Sequence, residues 1–558
     1  MLKKFMPIFE WLPNYKKSDL SGDMSAGLIV AIMLIPQGMA YAMLAGLPPV
    51  IGLYASTVPL LIYALFGTSK QLAVGPVAMV SLLVLTGVST IAEPGTDEYI
   101  SLVLLLMFMI GVIQLLMGVL KLGFLVNFMS HAVISGFTAA AAIIIGLSQL
   151  KHLIGVSLEA DKDVFLILWE TANRIPEINP ITLAIGLISI ILLIVLKKVI
   201  PKIPAPLIVV VLSILTVYYL QLHETGVKIV GEVPSGLPSL SVPALNMEGF
   251  IALLPIALTI SFVGFMESIA MAKAIAVKEK YKVVPNKELT GLGLANIGGS
   301  FFSGYPVTGG FSRSAVNYQS GAKTPLATII TAGLIVITLM FFTGLFYYLP
   351  NAVLAAIIMV AVYSLIDVKE VKYLLRIKKI DGSVWIVTFL ATLVFGIVEG
   401  ILIGVAYSLL VFVGKRAYPH IAELGYLEEE RVYRNVQRYP NAETEEDLII
   451  YRFDSSLFFA NIAAFEDRLN ERLIEKPATK WVILDFTGVN MIDAVAIHSL
   501  EEIMVTQSND HGVKFLFSGV KGPVRDLFEK AGWEKKYGEA YKFLSINHAR
   551  QAIREERG

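Results

Sequence analysis

The chain has 558 residues, 56% hydrophobic and 16% charged, with a formal net charge of zero and a mean hydropathy of +0.70. A soluble globular chain averages about 45–50% apolar and about 25% charged, so most of this chain is suited to lipid rather than to a water-facing surface. Zero net charge leaves no electrostatic footprint for nucleic acid, and the lack of cysteine excludes disulfides and thiol chemistry.

The first nineteen residues carry Lys3, Lys4 and Lys16-Lys17 and show no small-residue cleavage site after their first apolar run, so they read as a cytoplasmic segment and not as a cleaved signal peptide. Apolar runs of helix length then recur near 24–44, 50–67, 75–92, 99–120, 130–149, 179–196 and 204–221. After a long connector they recur near 250–274, 287–303, 312–320, 325–348, 351–366, 382–397 and 399–415. This predicts a polytopic α-helical membrane protein of seven plus seven spans, fourteen in all. Lys70, Lys121, Lys197, Lys198, Lys202, the Lys273–Lys287 stretch, Lys323 and the Lys369–Lys379 stretch all follow even-numbered spans. Glu93–Glu98 and Gly396–Gly400 fall on the other side. That bias places both termini in the cytoplasm of a cell-membrane protein. Gln221–Glu248 reads as an external connector between the halves, and Asp161–Arg174 as an amphipathic surface segment.

Two places break the helical pattern at matching positions of the halves. In the first, Lys70–Pro76 is extended and a helix starts at Val77, with Pro in its first turn. In the second, Tyr305–Phe311 is extended and a helix starts at Ser312. Interrupted segments at corresponding positions point to a substrate site between inverted repeats, and extended backbone at that depth must pair or line a cavity. The two short strands are expected to pair, with the two half-helices pointing at each other.

Arg313 is the one charged residue between Leu289 and Lys323. A cation there, at a half-helix N-terminus with unpaired N–H groups, describes an anion site; the alternative is a cation snorkelling from a helix end. Ser312 and Ser314 flank it and favour the anion reading. Glu267 stands alone among apolar residues between Glu248 and Lys273. It reads either as a structural partner neutralising Arg313 or as a group coupling the anion to a proton. Gln37 and Tyr41 share one helix face, beside Pro36, and read as pocket residues or as ordinary helix packing. Val77 and Ala78 would offer N–H groups from the first half-helix while their side chains set the pocket's size. The seven histidines show no metal spacing, and no nucleotide loop appears, so no cofactor, ATP-driven step or enzymatic reaction is expected.

After about Tyr418 the composition turns to that of a soluble protein, and from Asp447 strands and helices alternate. The pattern predicts strands Leu448–Phe453, Ser456–Phe459, Trp481–Asp485 and Val513–Ser518, and helices Ile462–Ile474, Ala494–Val505, Val524–Ala531 and Ile546–Arg554. Alternating strands and helices argue a small cytosolic α/β domain over 447–558 with a mostly parallel sheet. Residues 20–416 form the membrane domain and 417–446 a linker.

The strings Gly22–Tyr41, Ala45–Tyr54 and Phe66–Val77, together with Phe265-Met-Glu-Ser268 and Gly310-Phe-Ser-Arg-Ser314, resemble the SulP anion permease family. That family includes sulfate transporters and animal solute-carrier anion exchangers. Phe458–Phe465 and Val482–Asp493 resemble the STAS domain that ends such chains. In anti-sigma-factor antagonists of that fold an Asp precedes a pair of hydroxyl residues, one of them phosphorylated. Here Ala494-Val495 follows Asp493, which argues against a phospho-switch and against a sensor role.

The resemblance implies a homodimer, a pocket reached by Gln37 and Tyr41, and an acid at Glu267 used for proton coupling in some sulfate symporters. It also implies elevator-like movement of a core (about 20–129 and 250–348) against a gate (about 130–249 and 349–416). The expected activity is secondary transport of a small oxyanion, sulfate first, into the cytoplasm with protons. Sodium-coupled bicarbonate uptake, anion exchange or uncoupled carriage, and a passive anion channel are the alternatives.

Overall fold

The structure is a computed structural model of the whole chain that describes residues 6–124, 130–158, 164–199, 204–244 and 246–557. Lys3, Lys4, Lys202 and the start of Asp161–Arg174 lie outside the described residues. It divides into two compact units, Met1–Ser408 and Leu409–Gly558.

In the first unit each apolar run is helical where described. The first half gives α1 (Leu20–Leu44), α2 (Pro49–Tyr54), α3 (Val58–Phe66), α4 (Ala78–Val88) and α5 (Asp97–Val119). After them come α6 (His131–Ser148), α7 (Leu150–Ile154), α8 (Val164–Asn173), α9 (Pro180–Val199) and α10 (Ala205–Leu220). The second half gives α11 (Met247–Lys278), α12 (Pro285–Ser300), α13 (Phe311–Gln319), α14 (Leu326–Phe341) and α15 (Asn351–Tyr363). It closes with α16 (Val368–Ile377), α17 (Lys379–Phe395) and α18 (Ile397–Ala417). Among the described residues, eight helices are long and apolar enough to cross a membrane by themselves.

The departures from expectation have local causes. The run near 50–67 is two helices, broken at Thr57 (φ −116°, ψ −90°) with Pro59 in the first turn of α3; proline cannot donate to the preceding turn. The run near 325–348 ends its α-helix at Phe341 and finishes as a 3₁₀ turn, Thr343–Phe346. Val77 is the extended N-cap of α4, so Pro76 precedes the helix instead of sitting in its first turn. The basic stretch Lys369–Lys379 lies largely in α16, whose start Asp367 caps by accepting the N–H groups of Lys369 and Glu370.

The core of this unit is closely packed where glycines face each other. A Cβ on Gly52 would lie 1.9 Å from the Gly38 carbonyl oxygen, so α1 and α2 meet backbone to backbone, as small residues permit in membranes. Contacts between elements are densest within two sets: α12 with α5 and α3 and α14 with α1 in one, α17 with α6 and α9 with α15 in the other.

The second unit holds a five-stranded sheet. Its strands are β3 (Ile421–Leu427), β4 (Val432–Asn435), β5 (Leu448–Phe453), β6 (Trp481–Asp485) and β7 (Lys514–Ser518), in spatial order β4-β3-β5-β6-β7; β1 (Val74–Gly75) and β2 (Thr308–Gly309) belong to the membrane unit. The three C-terminal strands are parallel and the hairpin joins antiparallel. Residues 417–446 are therefore not a linker: β3 buries Ile421, Ala422, Leu424 and Leu427 and extends the sheet. The strand expected over Ser456–Phe459 is a loop instead. Asn461 ties it by accepting from the Phe458 N–H (2.9 Å) and donating to the Ser456 carbonyl (2.9 Å), leaving Leu457 a single bridge to Ile492. Helices α19 (Ile462–Glu475), α20 (Ala494–His511) and α21 (Gly522–Lys530) follow, then α22 (Trp533–Tyr537) and α23 (Ile546–Arg557). α20 runs past the expected Val505 to Gly512, whose left-handed φ of +66° ends it.

Candidate functional site

The two interrupted segments meet. β1 (Val74–Gly75) and β2 (Thr308–Gly309) pair antiparallel, Val74 opposite Gly309 and Gly75 opposite Thr308. Each strand is followed at once by its half-helix, α4 or α13, so two helix N-termini flank one two-residue ribbon. The first N–H groups of any helix lack intrahelical partners, and the two dipoles there add positive potential.

Arg313 lies in the first turn of α13 and is 2% exposed. Its Nη1 donates to the Pro76 carbonyl at 2.5 Å, so it crosses to the start of α4 and does not snorkel outward. Nε and Nη2 are buried and make no hydrogen bond with the protein. Two glycines make room for the group: a Cβ on Gly310 would stand 2.8 Å from the guanidinium carbon, and one on Gly75 3.3 Å from Nη2. Gly75 also adopts φ +150°.

Glu267, half-buried on α11, faces the backbone N–H of Phe311 and the Arg313 charge. Tyr41 is buried on α1 within electrostatic range of both Arg313 and Glu267. Gln37 is buried one turn earlier, and Val77 and Ala78 are buried at the start of α4. Ser312 is exposed on the first turn of α13. The fold thus gathers Arg313, Glu267, Tyr41, Val77 and Ala78 around the ribbon, with Gln37 one helical turn from Tyr41.

Several residues that hold this arrangement have no such role in the sequence reading, which uses Ser314 only as a polar neighbour of Arg313 and Ser268 only as part of a motif. Tyr305 is fully buried, its hydroxyl 3.0 Å from Ser81 Oγ. Asn296 reads Val307 as a strand edge would, accepting its N–H (2.9 Å) and donating to its carbonyl (3.1 Å). Ser268 accepts the Gly309 N–H (2.8 Å) and meets Thr308 Oγ1 (2.6 Å). Ser314 accepts the Ala73 N–H (2.9 Å) and Asn317 donates to the Gln71 carbonyl (2.9 Å). The available signal was position alone: Ser268 adjoins Glu267, and Ser314 and Asn317 follow Arg313 within two turns.

The sequence profile of the sulfate permease family matches residues 20–388, and that of the STAS domain residues 439–544. The chloroplastic sulfate transporter 4.1 of Arabidopsis thaliana is 40% identical over 98% of this chain and 82% of its own. The high affinity sulfate transporter 2 of Stylosanthes hamata is 37% identical over 98% and 86%. Among solved structures, the murine Solute Carrier 26 family member A9 anion transporter in the inward-facing state superposes with TM-score 0.92 at 27% identity, covering 99% of this chain and 94% of that one. The transmembrane domain of the cyanobacterial bicarbonate transporter BicA, at 23% identity, TM-score 0.62 and coverage of 71% and 98%, shares the fold. With both profiles matched and relatives aligned along nearly its whole length, the chain belongs to the sulfate permease family of membrane anion transporters and carries a C-terminal STAS domain.

Proposed function

We propose that the chain carries a small oxyanion, sulfate first, into the cytoplasm together with protons. The observation that carries this reading is the buried Arg313 guanidinium, with two unused nitrogens, at the junction of two half-helix N-termini. A planar fork of donors suits an oxyanion, and desolvated donors of fixed direction replace its hydration without reorganisation. Ser312, on the exposed turn, and Gln37 complete the proposed substrate contacts with Tyr41, Val77 and Ala78.

Glu267 supplies the coupling. Its carboxylate faces the Phe311 N–H, a donor at the very end an incoming anion needs, so an ionised Glu267 and a dianion repel each other there. Protonation removes that repulsion, and proton and anion enter together. The fourteen-span inverted repeat, with both termini cytoplasmic, gives the site access to both sides by elevator-like sliding. The core would be residues 20–129 and 250–348 and the gate 130–249 and 349–416, in a homodimer in the cell membrane. The two densely packed helix sets support that division.

The test is reconstitution into liposomes with radiolabelled sulfate under imposed proton or sodium gradients. Proton-driven accumulation, abolished by Arg313→Ala, is the expected result. Accumulation of bicarbonate but not sulfate, or sulfate uptake that never exceeds electrochemical equilibrium, overturns the reading.

A further inference from the structure

The two crossing strands are supported in different ways. β2 is held largely by its own half of the chain, through Asn296 on Val307, Ser268 on Gly309, and Thr308 Oγ1 donating to the Gly264 carbonyl at 2.5 Å, with Tyr305 on its approach tied to Ser81 of the other half. β1 and its approach are held by the opposite half. Thr68 and Ser69 donate their N–H groups to Glu288 (2.6 and 2.9 Å), and the Lys70 N–H reaches the Tyr281 hydroxyl (3.1 Å). Asn317 takes the Gln71 carbonyl, Ser314 the Ala73 N–H, and the Gly310 N–H the Ala73 carbonyl (3.0 Å).

Three of these ties come from α13 or its cap, the element that carries Arg313. Ser314 and Asn317 lie three apart and so share a helix face; both are at most 2% exposed. Their bonds fix the chain that leads into Pro76 and α4 against the helix whose guanidinium donates to Pro76.

We infer that Ser314 and Asn317 are positioning residues for the anion site: they set the register between Arg313 and the first half-helix by clamping residues 71–73. They touch no anion themselves. A bond lost here leaves a buried group unpaired and the clamped chain free to shift. A shift of even a fraction of an ångström moves the α4 N–H groups away from the guanidinium.

The inference rests on the anion-transport reading, and the test separates the two. Full-length Ser314→Ala and Asn317→Ala proteins are compared with wild type in two ways: sulfate uptake from liposomes, and backbone hydrogen exchange over residues 70–78 without substrate. The expected result is a roughly tenfold rise in KM with Vmax per folded molecule little changed, and exchange faster over 70–78 but not over α14. A purely structural role lowers the yield of folded protein and leaves KM alone. Unchanged exchange in both variants overturns the inference, as does faster exchange with an unchanged KM. Should wild type move no sulfate, the functional reading fails and the exchange measurement alone decides the clamp. Should one variant not fold, the other decides.

Discussion

Gly310→Ala isolates the contact between backbone and guanidinium. Gly310 has φ −81° and ψ 127°, ordinary extended backbone that alanine adopts without strain, so the residue is not there for conformational freedom. The space is the constraint: an added Cβ would lie 2.8 Å from Arg313 Cζ and Nη2, and an ordinary contact begins near 3.4 Å, so the guanidinium must retreat by about 0.6 Å. That motion pulls Nη1 from the Pro76 carbonyl. A hydrogen bond to a charged group contributes about 1.5–3 kcal/mol, and about 1.4 kcal/mol is tenfold in affinity. KM for sulfate in proteoliposomes should therefore rise by about tenfold or more as the displaced guanidinium meets the anion less well, with the thermal midpoint lowered by no more than the loss of that one bond. Gly333→Ala, where an added Cβ meets nothing within 4 Å, is the control and should change neither. A folded Gly310→Ala protein whose KM stays within about twofold of wild type would refute the argument that steric room at this glycine places the cation.

Glu267→Gln keeps the size of the side chain and removes its titration. Sulfate binding should persist while the dependence of uptake on external pH disappears, and an unchanged pH profile contradicts the coupling role. Glu288→Ala leaves the N–H groups of Thr68 and Ser69 and the buried Tyr63 hydroxyl without their acceptor. At about 1–3 kcal/mol for each of these three orphaned groups, the cost is on the order of 3–9 kcal/mol, read as a fall in thermal midpoint of the purified protein; an unchanged midpoint excludes that accounting. In the C-terminal domain, burial pushes the Asp454 carboxyl upward but its bonds to Arg452 and His420 outweigh this and hold it below the usual range. A depressed folded value means stability that is present above the unfolded pKa of about 3.9 and is lost as pH falls through the folded one. Asp454→Asn should therefore weaken the domain at neutral pH and flatten its acid limb, read from denaturant unfolding of the full chain at several pH values. A wild-type acid limb in the variant excludes the assignment.

Much of the membrane architecture was legible because its signals are local. Apolar runs announce helices directly, and a lone arginine beside Pro306 and Gly309-Gly310 announces a broken one. The break at Thr57 was hidden because the run around Pro59 stays apolar on both sides. The hairpin Ile421–Asn435 reads as linker in the sequence because the acidic turn Glu428–Glu430 masks two short strands that gain stability only beside β5. The neutral polar residues around the ribbon were illegible for a different reason. Ser261 spends its hydroxyl on the Ala257 carbonyl of its own helix, whereas Ser268, two turns on, spends it on a strand forty-one residues away. Nothing in the sequence around either serine distinguishes those uses. Only the fold decides which helical hydroxyl faces a bare backbone amide.

The lopsided support of the two strands bears on how the chain is made. As the N-terminal half leaves the ribosome, the N–H groups of Thr68, Ser69, Lys70 and Ala73 have no acceptors, because Tyr281, Glu288 and Ser314 are still more than two hundred residues from being synthesised. A backbone amide buried without an acceptor costs about 1–3 kcal/mol, so this stretch must keep contact with water or another polar shelter until then. Biogenesis of this transporter therefore closes late: its first crossing strand becomes a finished part of the protein only when the second half arrives to complete it.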